Sequence, residues 1–139
     1  MSHLLLIVEP VGQRAERGLE GGQAAYQAML DWAGDLQRRG LLLGVNSLAD
    51  TDRGARVQVR GGRATVIDGP FAEAKEMVGG YFLIDVATRE EALAVAATCP
   101  AAQWATVEVR ETGPCFLGAE IAEREREAAA ALAAGARAA

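Results

Sequence analysis

Apolar and polar positions along the chain fall into six extended runs and two helical ones, followed by a tail of a third kind. "HLLLIVE" places five apolar residues in a row without strict alternation, the pattern of a strand covered on both faces. A Gly-, Gln- and Arg-rich loop follows, and then "QAAYQAMLDWAGDLQRRG". There Tyr26, Met29, Leu30, Ala33 and Leu36 recur at helical spacing and predict one core-facing stripe. Arg38 and Arg39 suit the negative end of the helix dipole, and Gly40 suits its left-handed stop. "LLLGVNSL" reads as a second apolar strand.

In "ARVQVRGGRATVID", Val57 and Val59 alternate with Arg56, Gln58 and Arg60, which predicts a half-exposed hairpin. Gly61-Gly62 forms its two-residue turn, because glycine accepts the positive φ angles that such turns require. The "DGPF" turn leads into "MVGGYFLIDV", a further apolar strand. "TREEALAVAATCP" is a short helix. Thr88 and Glu91 have capping-box spacing, Leu93, Ala96 and Ala97 are placed inward, and Pro100 ends it. "WATVEVRE" is the last strand. The tail "LGAEIAEREREAAAALAAGARAA" is rich in helix formers and poor in large apolar groups, with Phe116, Leu117, Ile121 and Leu132 as its only docking candidates.

With the hairpin and tail set aside, the order is βαββαβ. This predicts an α+β, ferredoxin-like subunit with both helices on one face of an antiparallel sheet. The domain expected from this order is 1–112, and 113–139 is a C-terminal helical tail. "LLLIV", "LLLGV" and "YFLIDV" lack polar alternation, so the helix-free face is expected to be covered as well. A chain of 139 residues has no second layer for that purpose. Association of two identical sheets, enclosing a cleft, is the economical solution.

Composition narrows the function classes. Net charge −5 and a pI near 4.9 disfavour nucleic acid, whose binding depends on neutralising phosphates, and anionic membranes likewise. The first apolar run is too short for a membrane span and lacks the flanks of a signal peptide, so a cytoplasmic location is expected. Cys99 and Cys115 make no disulfide framework. One histidine and two distant cysteines supply no zinc set, and no dinucleotide fingerprint is present, so neither metal nor cofactor is expected.

"RVQVRGGRATVIDGPFAEAKEMVGGYFLIDV", with "EALAVAATCPAA" and "VEVR", resembles the DGPF branch of the YCII-related family over roughly Leu4 to Arg110. The resemblance implies a ferredoxin-like subunit paired as a dimeric α/β barrel, with a pocket between sheet and loop. Some bacterial members of the family accompany extracytoplasmic-function sigma factors, which implies a regulatory setting. A more distant branch resembles enzymes of chlorinated-aromatic breakdown that use a His–Asp pair. Here the single histidine, His3, opens the first strand and the helix reads "YQAMLDW", so that mechanism is not carried over.

The candidate chemistry lies between Asp68 and Tyr81. Asp68, Gly69 and Pro70 are good turn formers in their own right, and Phe71 is placed to anchor the turn. Asp68 would serve as a general base where a cavity dehydrates it. Glu73, Lys75 and Glu76 put two acids around the only lysine, either as a solvated loop or as a polar ligand site. Gly79-Gly80 marks close backbone approach or a bulge, and Tyr81 offers a hydroxyl. The expected ligand contacts are therefore Asp68, Phe71, Glu73, Lys75, Glu76, Gly79 and Tyr81, with Asp68 and Lys75 as the catalytic pair if there is one.

His3 reads as a surface or edge histidine, and Trp32 and Trp104 as core or interface groups. Cys99 reads as a small buried residue. The arginine-decorated hairpin reads as a solvated edge.

Three functions follow. One is a dimeric small-molecule-binding or regulatory accessory protein with a cleft at the sheet face. Another is a cofactor-independent enzyme performing lyase, isomerase or hydrolase-type acid–base chemistry on a small polar or aromatic substrate. The last is a scaffold whose tail helix engages another protein.

Overall fold

The structure, a computed structural model, describes residues 2–116 and 123–138. Strands β1 (Ser2–Pro10), β2 (Leu42–Ser47), β5 (Glu76–Asp85) and β6 (Thr106–Glu111) form one antiparallel sheet in the order β2-β5-β1-β6. Helices α1 (Gln13–Arg38) and α2 (Arg89–Ala97) supply the two crossovers. This is the ferredoxin-like α+β arrangement. The inserted hairpin, β3 (Ala55–Arg60) and β4 (Arg63–Asp68), makes a separate two-stranded sheet, and α3 (Glu123–Ala138) follows the body.

Residue alternation decides what each strand buries. Leu5 and Ile7 of β1 and Phe82 and Ile84 of β5 join one core with Trp32, Ala33 and Leu36 of α1 and Ala92, Val95 and Ala96 of α2. Side chains on successive strand residues point to opposite faces, so Leu4, Leu6 and Val8 stand on the helix-free face. Trp32 anchors the core edge-on against Phe82, with ring centroids 4.7 Å apart, and donates its indole N–H to the Thr98 hydroxyl at 3.0 Å.

The inward stripe of α2 is Ala92, Val95 and Ala96, with Cys99 buried just beyond its end, whereas Leu93 and Ala97 are exposed. The small residues let the helix lie close to the sheet, and the expected placement of Leu93 and Ala97 is corrected accordingly. The capping pair holds in modified form. Thr88 Oγ1 accepts from the Glu91 amide at 3.2 Å, while the Glu91 carboxylate receives the amide of Ala87.

Helix α1 begins at Gln13, within the stretch expected to be a loop, and is interrupted at Gly18, where φ is 73°. Its stop is as expected, with Gly40 left-handed at φ 72° and Leu41 N–H returning to the Leu36 carbonyl. Gly61 and Gly62 both take positive φ, the geometry of a twisted two-residue hairpin turn.

Every residue of β3 and β4 is exposed, including Val57, Val59 and Val66, so the hairpin is more open than its alternation implied. Phe116 and Leu132 are also exposed, and Leu117 and Ile121 lie outside the described residues. No described helix is long and apolar enough to cross a membrane.

Candidate functional site

Only the last two turns of α1 lie down on the sheet. Trp32, Ala33 and Leu36 are buried, but Leu30 and Tyr26, about one and two turns earlier, are about half exposed, which corrects the single core-facing stripe expected from their spacing. Between the raised part of the helix and the sheet runs a cleft of about 840 Å3. Ile7 and Phe82 form its floor, Met29, Leu30 and Tyr26 its helical wall, Val45 and Leu48 its edge, and Trp104 closes one end.

The hollow has a local cause. Gly80 pairs with Ile7 and therefore faces the helices, yet it adds no side chain to the floor. It also cannot gain one easily, because a Cβ there would come within 3.0 Å of the Asn46 carbonyl oxygen.

One charged pair is built into the cleft lining. Glu9 follows Leu5 and Ile7 in the inward alternation and is 6% exposed. Its Oε1 receives Arg14 Nε at 2.5 Å. Arg14 spends its other nitrogens on backbone, with Nη1 donating to the Leu48 carbonyl at 2.9 Å and Nη2 to that of Gly79 at 3.4 Å. The guanidinium thereby ties the start of α1 to the end of β2 and to the bulge in β5.

That bulge is the double glycine. Ile7 pairs with Gly80 and Val8 with Val78, leaving Gly79 as the extra residue. Glu9 Oε2 and Arg14 Nη2 both occupy the space where a Gly79 side chain would stand. Close approach and bulge, the alternatives open for Gly79-Gly80, are both present, and the approaching group is an ion pair.

The residues singled out between Asp68 and Tyr81 are dispersed. Only the double glycine, Gly79 and Gly80, borders the large cleft. Asp68, Glu73, Lys75 and Glu76 are exposed in the single chain. Phe71 and Glu76 border a smaller hollow of about 380 Å3 with Val8, Thr51, Arg56 and Val78. Tyr81 is turned to the helix-free face, where its hydroxyl receives the Asn46 side-chain amide at 2.9 Å.

The turn itself acts as a fastening for the hairpin. Gly69 N–H donates to the Gly54 carbonyl at 2.8 Å, and Phe71 lies under the Arg56 guanidinium, 3.8 Å from the ring centroid. A Cβ on Gly69 would overlap the Thr51 carbonyl. Gly69→Ala is accordingly expected to cost about 1–3 kcal/mol. Hydrogen exchange should quicken at β3 and β4 amides but not in β1; equal protection in both proteins would remove the fastening role.

Two further side chains differ from or extend the sequence reading. His3 is 1% exposed, a correction to its placement at the surface, and its Nδ1 has no hydrogen-bond partner among the described residues. The first strand is central in the sheet, paired on both sides, so a position near the chain terminus is interior here. Cys99 is buried as expected, its Sγ 3.9 Å from Met29 Sδ. Burial pushes the Cys99 thiol above its ordinary range, partly offset by the amides of Ala101 and Ala102. It stays protonated and unreactive at neutral pH.

Glu9 and Arg14 were not among the residues singled out from the sequence. Their signal was present: an acid at an inward-facing strand position calls for a partner, and Arg14 is the nearest base.

Comparison with known proteins agrees with the topology. The model of the YCII-related domain matches residues 4–115. An uncharacterized protein of Rhizobium meliloti (strain 1021) is 45% identical over 49 residues, a stretch covering 35% of this chain and 40% of that protein. The matched stretch thus spans well under two thirds of that relative's length.

Proposed function

The chain belongs to the YCII-related family, and from that premise we propose that it is a small-molecule-binding accessory protein whose ligand site is the cleft under α1. The observation that carries this reading is the cleft itself. Its volume falls within the range of small-ligand sites, its walls are largely apolar, and it holds a charged pair whose carboxylate is buried. It lies on the helix-bearing side of the sheet, away from the helix-free face first considered for the ligand.

Acid–base chemistry by Asp68 and Lys75 is the alternative. Neither side chain borders the cleft in the single chain, so binding is the reading carried forward.

A metabolite screen by thermal shift tests it. A ligand at a hundred times its Kd stabilises by about 2.7 kcal/mol. Leu30 is half exposed, so Leu30→Arg should keep the unliganded melting temperature while removing that shift. A shift that survives Leu30→Arg would place the ligand elsewhere.

The proposal includes a homodimer formed through the helix-free face, with Leu4, Leu6 and Leu83 as the self-complementary apolar patch. These residues are half-buried in the single chain, and Glu108 and Arg110, beside them on the same face, pair with each other at 3.8 Å. Light scattering at micromolar concentration should give twice the chain mass, and Leu6→Lys should halve it. A monomeric mass for the unaltered protein would overturn this part.

A further inference from the structure

Resting on the reading of the α1 cleft as a ligand site, we propose the class of ligand it takes: a neutral molecule with an apolar body and a hydroxyl or N–H donor at one end. The Glu9 carboxylate receives that donor.

The charged side chains lining the cleft are Glu9, Arg14 and Arg17. Arg14 is not an open anion receptor, because each of its nitrogens already donates, to Glu9, Leu48 and Gly79. Arg17 donates to the Gln13 side chain at 3.0 Å and lies over the Trp104 ring, 5.3 Å from its centroid. It covers an aromatic wall and is tethered there.

Glu9 differs from both. A carboxylate offers about four lone-pair sites, and Arg14 Nε takes one on Oε1. Oε2 lies beside the side-chain-free Gly79, at the lining of the cleft. The polar end of the cleft therefore presents an acceptor.

The sign of the charge follows from the same pair. Glu9 and Arg14 neutralise each other at 2.5 Å, so a cation gains little net attraction there. At the Glu9 end an anion would meet the carboxylate oxygen, and the Arg14 guanidinium there is already engaged by Glu9, Leu48 and Gly79. A neutral donor makes a charge-assisted hydrogen bond without carrying its own ionic desolvation cost into an apolar cleft. The remaining walls, Ile7, Phe82, Met29 and Leu30, are suited to a flat or branched apolar body.

Four naphthalene probes titrated into the full chain by calorimetry separate the possibilities: 2-naphthol, 2-methoxynaphthalene, 2-naphthoate and 2-(aminomethyl)naphthalene. The expected result is 2-naphthol binding about tenfold tighter than the other three, the worth of one hydrogen bond to a charged group. In Glu9→Met/Arg14→Met this preference should collapse while 2-methoxynaphthalene still binds. Glu9→Gln, which keeps the side-chain volume, should weaken 2-naphthol selectively and serves if the double variant does not fold.

Equal affinities, or a preference that persists in the variants, would overturn the assignment to Glu9 but leave the cleft as a ligand site. Tightest binding of the ammonium or of the carboxylate would overturn the neutral class. If no probe binds, the ligand-site reading falls, and this inference with it.

Discussion

Gly79→Ala is expected to destabilise the folded protein by about 3 kcal/mol, lowering its melting temperature by on the order of 10 °C. In an ordinary strand the same change would gain about 0.5–1 kcal/mol, since alanine restricts the unfolded chain and has better strand geometry than glycine. The sign is reversed here because the added methyl must displace Glu9 Oε2 and Arg14 Nη2, which occupy its place. Moving them separates the buried Glu9 carboxylate from its partner and strips donors from the Leu48 and Gly79 carbonyls.

The test is a coupling measurement. In a Glu9→Ala/Arg14→Ala background the cost of Gly79→Ala should fall below about 1 kcal/mol, because the obstructing groups are gone. An undiminished cost would mean that Gly79 is required by the bulge itself.

Arg14→Met should cost about 3–5 kcal/mol, since it leaves the Glu9 carboxylate buried with no counter-charge. Glu9→Met/Arg14→Met should return to within about 1–2 kcal/mol of the native protein, because a buried pair exchanged for apolar groups of similar size recovers its desolvation cost. Urea unfolding at constant slope would measure both. If the single variant costs under about 1 kcal/mol, water already screens the pair and its role in the cleft is lost. The asymmetry between single and double variants is therefore a test of burial as much as of attraction.

The dispersal of the residues between Asp68 and Tyr81 has a physical reason. Glu73, Ala74, Lys75 and Glu76 look like a site because charges crowd together in sequence. In three dimensions the Ala74 amide closes a turn on the Phe71 carbonyl, and the Lys75 carbonyl accepts from Val11. The backbone is thus used for the fold, and the charged side chains are left in solvent. Asp68 ends the β3–β4 ladder opposite Ala55, and Gly69 and Phe71 fasten the hairpin. Proximity along the chain said little about convergence in space.

The cleft was hidden for the complementary reason. Its parts come from β1, α1, β2, β5 and the segment around Trp104, separated by up to ninety-odd residues, as in the bond from Gln13 to the Trp104 carbonyl. Tyr26 and Leu30 fit a helical stripe as well as Met29 and Leu36 do, and periodicity cannot say which half of a stripe meets the sheet. The left-handed break at Gly18 and the missing side chain at Gly80 shape that half, and both depend on where the helix is laid.

The sequence by itself determined the elements, their order and their punctuation, because these rest on local physics. Side-chain alternation, helical spacing, the positive φ open to Gly40, Gly61 and Gly62, and the reach of Thr88 to Glu91 all act within a few residues. The βαββαβ topology followed, since few sheets can be assembled from that order. The tertiary structure decided which residues are interior against expectation, such as His3 and Glu9 on a central strand. It also decided that one end of α1 stands off the sheet and that Arg14 closes on Glu9 beneath it. These are outcomes of packing between distant segments, where a side chain's surroundings are set by elements that its own neighbours in sequence do not specify.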